Sequence, residues 1–170
     1  MTQAVFLDRD GVINSYEKHV NKPDDLYLYG GVGPAIRRLN ESGYMVFIVT
    51  NQGGVGLGFL TEENLAEIHE HLESELKKDG AAIDEITACT HKPKAGCGCR
   101  KPEAGMILEL AEKYEVDLAE SYMVGDRKTD IDAGKKAGTK TIFIGNEIST
   151  ADYKASNLPK AIDWILQQYK

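Results

Sequence analysis

The chain has 170 residues, 42% of them hydrophobic and 28% charged, a balance that suits one globular domain with a substantial core. A net charge of −7 argues against a general nucleic-acid binder, and no apolar run approaches the roughly 20 residues of a membrane span. Met1-Thr2-Gln3-Ala4 puts no basic stretch ahead of an apolar one, so no signal peptide and a cytoplasmic location are expected.

Ala4–Leu7 reads as a short buried strand that delivers Asp8 and Asp10 to its carboxyl edge, with Gly11 allowing the turn that follows. Period-two alternation points both aspartates to one side and Arg9 to the other. Such a pair suits a magnesium ion, or a division of nucleophile and acid–base work. Taken alone, a strand ending in a polar turn fits equally well. Residues 12–33 are irregular, and within them 15–29 reads as a flap over a site. Tyr16, Glu17, Lys18 and His19 are its candidate substrate contacts, against the plainer reading of an ordinary excursion.

A helix at 34–40 and a strand at 45–49 lead to Thr50-Asn51-Gln52-Gly53-Gly54. The hydroxyl, the amides and the glycine backbone can offer donors to a phosphate oxygen. In the next helix, 62–78, Leu65, Ile68, Leu72 and Leu76 make one apolar stripe, and Thr61 is its expected N-cap. His69 and His71 face different directions on it and are expected at the surface.

A strand at 83–88 runs into Cys89-Thr90-His91, and after five residues into Cys97-Gly98-Cys99. Three thiols and an imidazole at this spacing suit a tetrahedral zinc ion, and four protein ligands imply a structural role. Free thiols beside a surface histidine, or a zinc knuckle for nucleic acid, are the alternatives. Arg100 and Lys101 follow directly and could neutralise phosphoryl charge, or lie solvated at the surface.

The helix Gly105–Tyr114 and a strand at 122–124 precede Gly125-Asp126-Arg127-Lys128-Thr129-Asp130. Asp126 could complete an oxygen-rich magnesium site, while Asp130 caps the next helix or supports the site from behind. A helix at 131–137, a strand at 141–144 and a helix at 160–168, where Trp164 reads as packing, complete the chain. The alternation predicts an α/β, three-layer Rossmann-like parallel sheet with helices on both faces.

In order, the strand ends carry an acidic pair, a hydroxyl turn, a basic pair and a further acidic motif. This resembles the haloacid dehalogenase-like (HAD-like) phosphohydrolases over nearly the whole chain: Asp8/Asp10, Thr50, Arg100/Lys101 and Asp126/Asp130 match their four motifs in order. The cysteine loop before Arg100-Lys101-Pro102 is similar to that of a branch with no large cap domain. That branch contains D-glycero-D-manno-heptose 1,7-bisphosphate phosphatases and histidinol-phosphate phosphatases. Asp8 to Asn14, His19-Val20 ahead of Tyr27, Gly105-Met106 and Ser121 to Asp126 look more like the heptose enzymes, while the short loop is closer to the histidinol group.

The resemblance implies a single domain over 1–170, working as a monomeric magnesium-dependent phosphomonoesterase. Asp8 would form an aspartyl-phosphate, and Asp10 would act as acid and then base. Mg²⁺ would sit on the Asp8 carboxylate, the Asp10 carbonyl and Asp126. Thr50 and Asn51, with Gln52 and Gly53, would meet phosphate oxygens, and Arg100 or Lys101 would stabilise charge. Arg127, where related enzymes often have Lys, is a further substrate contact. The expected partner is a small phosphorylated metabolite, neither nucleic acid nor membrane, with a heptose 1,7-bisphosphate foremost. Histidinol phosphate, a polynucleotide 3′-phosphate and a non-catalytic zinc-stabilised binding module are the competing readings.

Overall fold

Strand β1 (Ala4–Leu7) pairs in parallel with β2 (Met45–Asn51) on one side and β4 (Tyr122–Gly125) on the other. Beyond them lie β3 (Glu85–Cys89), next to β2, and β5 (Lys140–Ile144) and β6 (Tyr153–Ala155), next to β4. This computed structural model describes residues 1–168. The strand order is β3-β2-β1-β4-β5-β6, and every pairing is parallel. All carboxyl ends therefore share one rim.

The helices are α1 (Val32–Glu41), α2 (Gly53–Gly56), α3 (Glu62–Lys77), α4 (Gly105–Tyr114), α5 (Lys128–Ala137) and α6 (Leu158–Gln167). Period-two alternation sorts the strand residues into two cores. Val5, Leu7, Val46 and Ile48 join Ile36 and Leu39 of α1, Ile68 and Leu72 of α3, and Ile162 and Ile165 of α6. On the opposite face, Ala4, Phe6, Phe47 and Val49 join Met106, Ile107 and Leu110 of α4 and Ala133 of α5. The result is the expected three-layer α/β fold, with no large cap domain.

Several boundaries differ from the sequence reading, each for a local reason. Strand β2 runs two residues further, because Thr50 and Asn51 still pair with Ala88 and Cys89. Helix α5 starts three residues early, since its first turn is polar and carries no apolar period. Residues 53–56 close one helical turn, and β6 adds an edge strand too short to leave a pattern. The stretch at 12–33 is a pinned arch with one helical turn at Pro23–Asp25. Val12, Ile13, Val20 and Leu26 are buried, Ser15 N–H donates to the Tyr27 carbonyl (2.9 Å), and Tyr29 N–H donates to that of Ile13 (3.0 Å). Trp164 packs as expected, stacked on Tyr153 with centroids 4.5 Å apart. Among the described residues, no helix is long and apolar enough to cross a membrane.

Candidate active site

Strand order reverses between β1 and β4, where parallel α/β sheets open a crevice at their carboxyl ends. Asp8 stands at that crevice, its backbone N–H donating to the Val124 carbonyl across the strand gap (3.0 Å). Gly11, at φ +87°, turns the chain back so tightly that a Cβ there would collide with the Asp126 carboxylate. The sequence motif and the distant aspartate are thus brought together by one glycine.

Lys101 is buried, and its Nζ spends all three protons: on Asp8 Oδ1 (2.9 Å), Asp130 Oδ1 (2.6 Å) and the Val49 carbonyl (2.8 Å). Burial works to lower the Lys101 pKa, but the charges of Asp8 and Asp130 outweigh it, so the pKa is raised and the ammonium persists. The carboxylates have the opposite problem. Burial and then the charges of Asp8 and Asp130 push the Asp126 carboxyl up to about 7. Burial and Asp8 raise Asp130 to about 6, against the pull of Lys101. Asp8, Asp126 and Asp130 each bring an oxygen into a group within 4.8 Å, so three carboxylates face a single ammonium. Asp126 Oδ1 is buried without a hydrogen-bond partner. Asp130, by contrast, is engaged at both oxygens, by Lys101 and by the Arg127 N–H at the start of α5. A hard cation therefore fits between Asp8 and Asp126, with Asp130 capping and bracing, as the sequence suggested for it.

Asp10 sits in a cage of donors. Arg9 Nε and Nη2 fork its two oxygens at 2.9 and 3.1 Å, Asn14 Nδ2 reaches Oδ1 at 2.9 Å, and Gln52 Nε2 reaches Oδ2 at 3.1 Å. The expectation that Arg9 points away from the aspartates is corrected here. The β ladder stops at Leu7, so strand alternation no longer governs residues 8–10, and the Arg9 side chain curls back onto its neighbour. Arg9 is buried, and its Nη1 donates to His69 Nε2 (3.0 Å). His69 is thus partly buried and engaged with Arg9, where the sequence reading placed it free at the surface. Burial, then the nearby Arg9 charge, lowers its pKa to about 4, so the ring is neutral, although Asp10 pulls the other way.

Gln52 Nε2 also donates to Thr50 Oγ1 (2.8 Å). With that oxygen accepting, the hydroxyl proton of Thr50 is left to point into the cavity as a donor. The Asn51 amide clamps the Lys101 backbone, donating to the carbonyl (3.1 Å) and accepting from the N–H (2.9 Å), and so holds Lys101 in register.

The cysteine loop gathers as the spacing implied. Cys89 Sγ lies 3.6 Å from Cys97 Sγ and 3.4 Å from His91 Nδ1, and His91 Nδ1 lies 3.2 Å from Cys99 Sγ. A tetrahedral ion held at about 2.3 Å by sulfur and about 2.0 Å by nitrogen spaces its ligands roughly 3.5–3.8 Å apart. Cys89 with Cys97 and with His91 comes close to this, while Cys99 Sγ, 2.7 Å from Cys89 Sγ, would have to move outward to join them. Burial and the two neighbouring sulfurs push the Cys99 thiol up to about 12, whereas Cys97, against burial, is brought down to about 6 by the Arg100 backbone and the neighbouring sulfurs. The loop lies against α2 through glycines: a Cβ on Gly56 would stand 2.6 Å from Lys92 N and 2.8 Å from the Thr90 carbonyl. One residue beyond, Arg100 leaves Nη1 buried and unpartnered.

A cavity of about 630 Å³ opens over this rim, lined by Asp8, Asp10, Thr50, Gln52, Arg100 and Lys101. Asn51 and Gly53 also reach its wall, and Tyr16, His19 and Arg127 stand near them, the Arg127 guanidinium 5.9 Å from the Tyr16 ring centre. Glu17 and Lys18 lie outside the lining. Lys18 instead pairs with Asp25 at 3.6 Å, because the arch turns both residues to solvent. Leu57 and Phe59, 50% and 71% exposed, also border the cavity and were not anticipated. Two apolar residues in a glycine-rich turn carry no periodic signal that would have singled them out.

The HAD-hydrolase-like family profile matches residues 98–169. A D-glycero-beta-D-manno-heptose-1,7-bisphosphate 7-phosphatase from Rhodopseudomonas palustris is 42% identical over 142 residues, covering 79% of each chain. One of the same name from Haemophilus ducreyi is 37% identical over 166 residues, covering 92% of this chain and 91% of its own. The crystal structure of a D,D-heptose 1,7-bisphosphate phosphatase from B. bronchiseptica, complexed with magnesium and phosphate, superposes with a TM-score of 0.92. It is 31% identical and covers 98% of this chain and 99% of its own. A crevice of paired carboxylates and one buried lysine on this fold, with relatives this similar over this much of the chain, leaves one family: the chain belongs to the heptose-bisphosphate phosphatases of the HAD-like hydrolases, enzymes that cleave phosphoric monoesters.

Proposed function

We propose that the protein is a magnesium-dependent phosphatase that removes the 7-phosphate of a D-glycero-D-manno-heptose 1,7-bisphosphate through an aspartyl-phosphate on Asp8. The observation that carries this reading is the setting of the Asp8 carboxylate. It is held at Oδ1 by the Arg9 N–H (2.9 Å) and Lys101 Nζ (2.9 Å), with the unpartnered Asp126 oxygen beside it. The substrate name rests on the relatives.

Asp8 attacks phosphorus as the ester P–O bond breaks, and Asp10 delivers a proton to the departing alkoxide. Water then attacks the phosphorus of the aspartyl-phosphate. Asp10 takes the water's proton as the Asp8–phosphorus bond breaks, and inorganic phosphate leaves. Thr50 donates its hydroxyl proton to a phosphoryl oxygen, while Lys101 and the spare Arg100 Nη1 stabilise charge that grows in the transition state. Asp8, Asp126 and the Asp10 carbonyl are the groups to hold Mg²⁺. Once bound, it neutralises phosphate charge that would otherwise repel the nucleophile. Cys89, His91, Cys97 and Cys99 would hold a structural Zn²⁺, which when bound would order the loop that leads into Arg100 and Lys101. Arg127, His19 and Tyr16 flank the part of the substrate that stays behind.

The test compares phosphate release from heptose 1,7-bisphosphate, fructose 1,6-bisphosphate and histidinol phosphate, with magnesium and with chelator. ³¹P NMR identifies which ester is lost. The heptose should be hydrolysed fastest, at the 7-position, and only with the metal. Preference for histidinol phosphate would overturn the substrate, and magnesium-independent or absent turnover on all three would overturn the enzyme.

A further inference from the structure

We propose that His69 is a positioning residue for the reaction: by accepting from Arg9 Nη1 it fixes the guanidinium fork that aims the Asp10 carboxylate. The inference rests on the acid–base role of Asp10 proposed above. Arg9 is 1% exposed, so water cannot substitute for a lost partner on its N–H groups. Its Nε and Nη2 go to Asp10 and its Nη1 to His69 Nε2. An arginine nitrogen can only donate, so Nε2 is the accepting, unprotonated nitrogen of a neutral ring whose proton sits on Nδ1.

The anchor is a rigid one. His69 stands in the middle of α3, next to Ile68, which is fully buried along with Leu72 one turn on. The helix start is fixed by the reciprocal Thr61–Asn64 capping box. Arg9 has a long, rotatable stem and, apart from Asp10, only His69 among the described residues receives its guanidinium hydrogen bonds. Asn14 and Gln52 hold Asp10 from other directions but do not touch the guanidinium. Removing the imidazole acceptor frees the fork to swing and leaves a buried donor unpaired. His71, two residues on, is partly exposed and lies 3.8 Å from Glu75, so the same helix supplies its own control.

Magnesium-dependent turnover of the heptose bisphosphate by the unmodified protein tests the parent reading on its own. His69→Leu, His69→Gln and His71→Ala are then compared on that alkyl ester and on p-nitrophenyl phosphate, whose leaving group needs no proton. Partial loss of acid catalysis predicts kcat on the alkyl ester lower by about 10–100-fold in H69L, less than the roughly 10²–10⁴-fold that a positioned acid supplies in full. Its KM, and the rate of the p-nitrophenol burst on the aryl ester, should stay within about threefold, whereas steady-state kcat on the aryl ester, which needs Asp10 as the base, should fall as well. H69Q, whose amide oxygen can replace Nε2, should recover most of the loss, and H71A should behave as the unmodified protein. A burst rate on the aryl ester that falls as far as kcat on the alkyl ester, a change in KM alone, unchanged kcat, or a Gln variant no better than Leu would each overturn the proposal. Should H69L fail to fold by circular dichroism, His69→Phe, which keeps the ring and lacks the acceptor, takes its place. Misfolding of both with a folded H69Q would assign the residue to stability and overturn it equally.

Discussion

Lys101 is the residue on which the charge balance of the site turns. It lies between Asp8 and Asp130 with almost no solvent, so its substitution does more than remove a phosphate ligand. Lys101→Met should lower kcat by about 10²–10³-fold, the usual loss when a preorganised charge is removed from a transition state. It should also lower stability by about 3–5 kcal/mol, because breaking a buried ion pair leaves its carboxylates uncompensated. Steady-state kinetics and urea titration check the two parts, and a kcat within threefold of the parent contradicts the first. At this scale the sequence was informative where chemistry and strand ends coincide, as at Asp8, Asp10, Thr50, Lys101 and Asp126. It was silent where a role depends on a partner far along the chain. Asn51 and Lys101 are 50 positions apart, and nothing in either residue announces that the amide will clamp that backbone. His69 and Arg9 are 60 apart, so a helix-face argument placed the imidazole in solvent. Glu17 and Lys18 failed for a related reason: a polar stretch after an acidic pair does not say which side chains turn inward.

Elements carry the next level of the design. The stripe Leu65, Ile68, Leu72 and Leu76 located α3 nearly to its ends, since burial and the Thr61 cap agree with each other. The one-turn α2 and the three-residue β6 escaped notice because neither is long enough to repeat a period. Yet α2 matters, since Gly53 and Gly56 let the cysteine loop press against it and hold Arg100 near the cavity. Cys97→Ser should therefore cut the zinc content of the purified protein and lower activity indirectly, through Arg100 and Lys101. Metal analysis decides the matter, and full zinc retention contradicts the ligand set. Gly56→Ala should act in the same direction, because the atoms its Cβ would meet are backbone and cannot rotate away. Unchanged zinc and unchanged kcat in that variant would mean that α2 and the loop are not coupled.

For the whole molecule, the strand–helix alternation was enough to give layers and a shared carboxyl rim. The switch point between β1 and β4 follows only from the observed strand order. Collecting three carboxylates there has a consequence for stability. Asp126 and Asp130 titrate near 7 and 6 in the metal-free fold against an ordinary value of 3.8, so the folded state binds their protons more tightly than the unfolded one. Their contribution is complete below the unfolded value and is lost as pH rises through the folded values. A bound divalent ion removes that repulsion, and the opposing titration of His69 is common to both states. The rise in Tm on adding magnesium should therefore be larger at pH 8 than at pH 5, and an equal or smaller rise at pH 8 contradicts the charge argument.

The nucleophile itself is most directly tested by trapping. Asp10→Asn, given magnesium and p-nitrophenyl phosphate, forms the covalent intermediate but lacks the base to hydrolyse it quickly. Acid quenching followed by peptide mass analysis should find phosphate on Asp8, and none when Asp8→Asn is added. Turnover with no phosphorylated peptide, or phosphate on any other residue, would contradict the account.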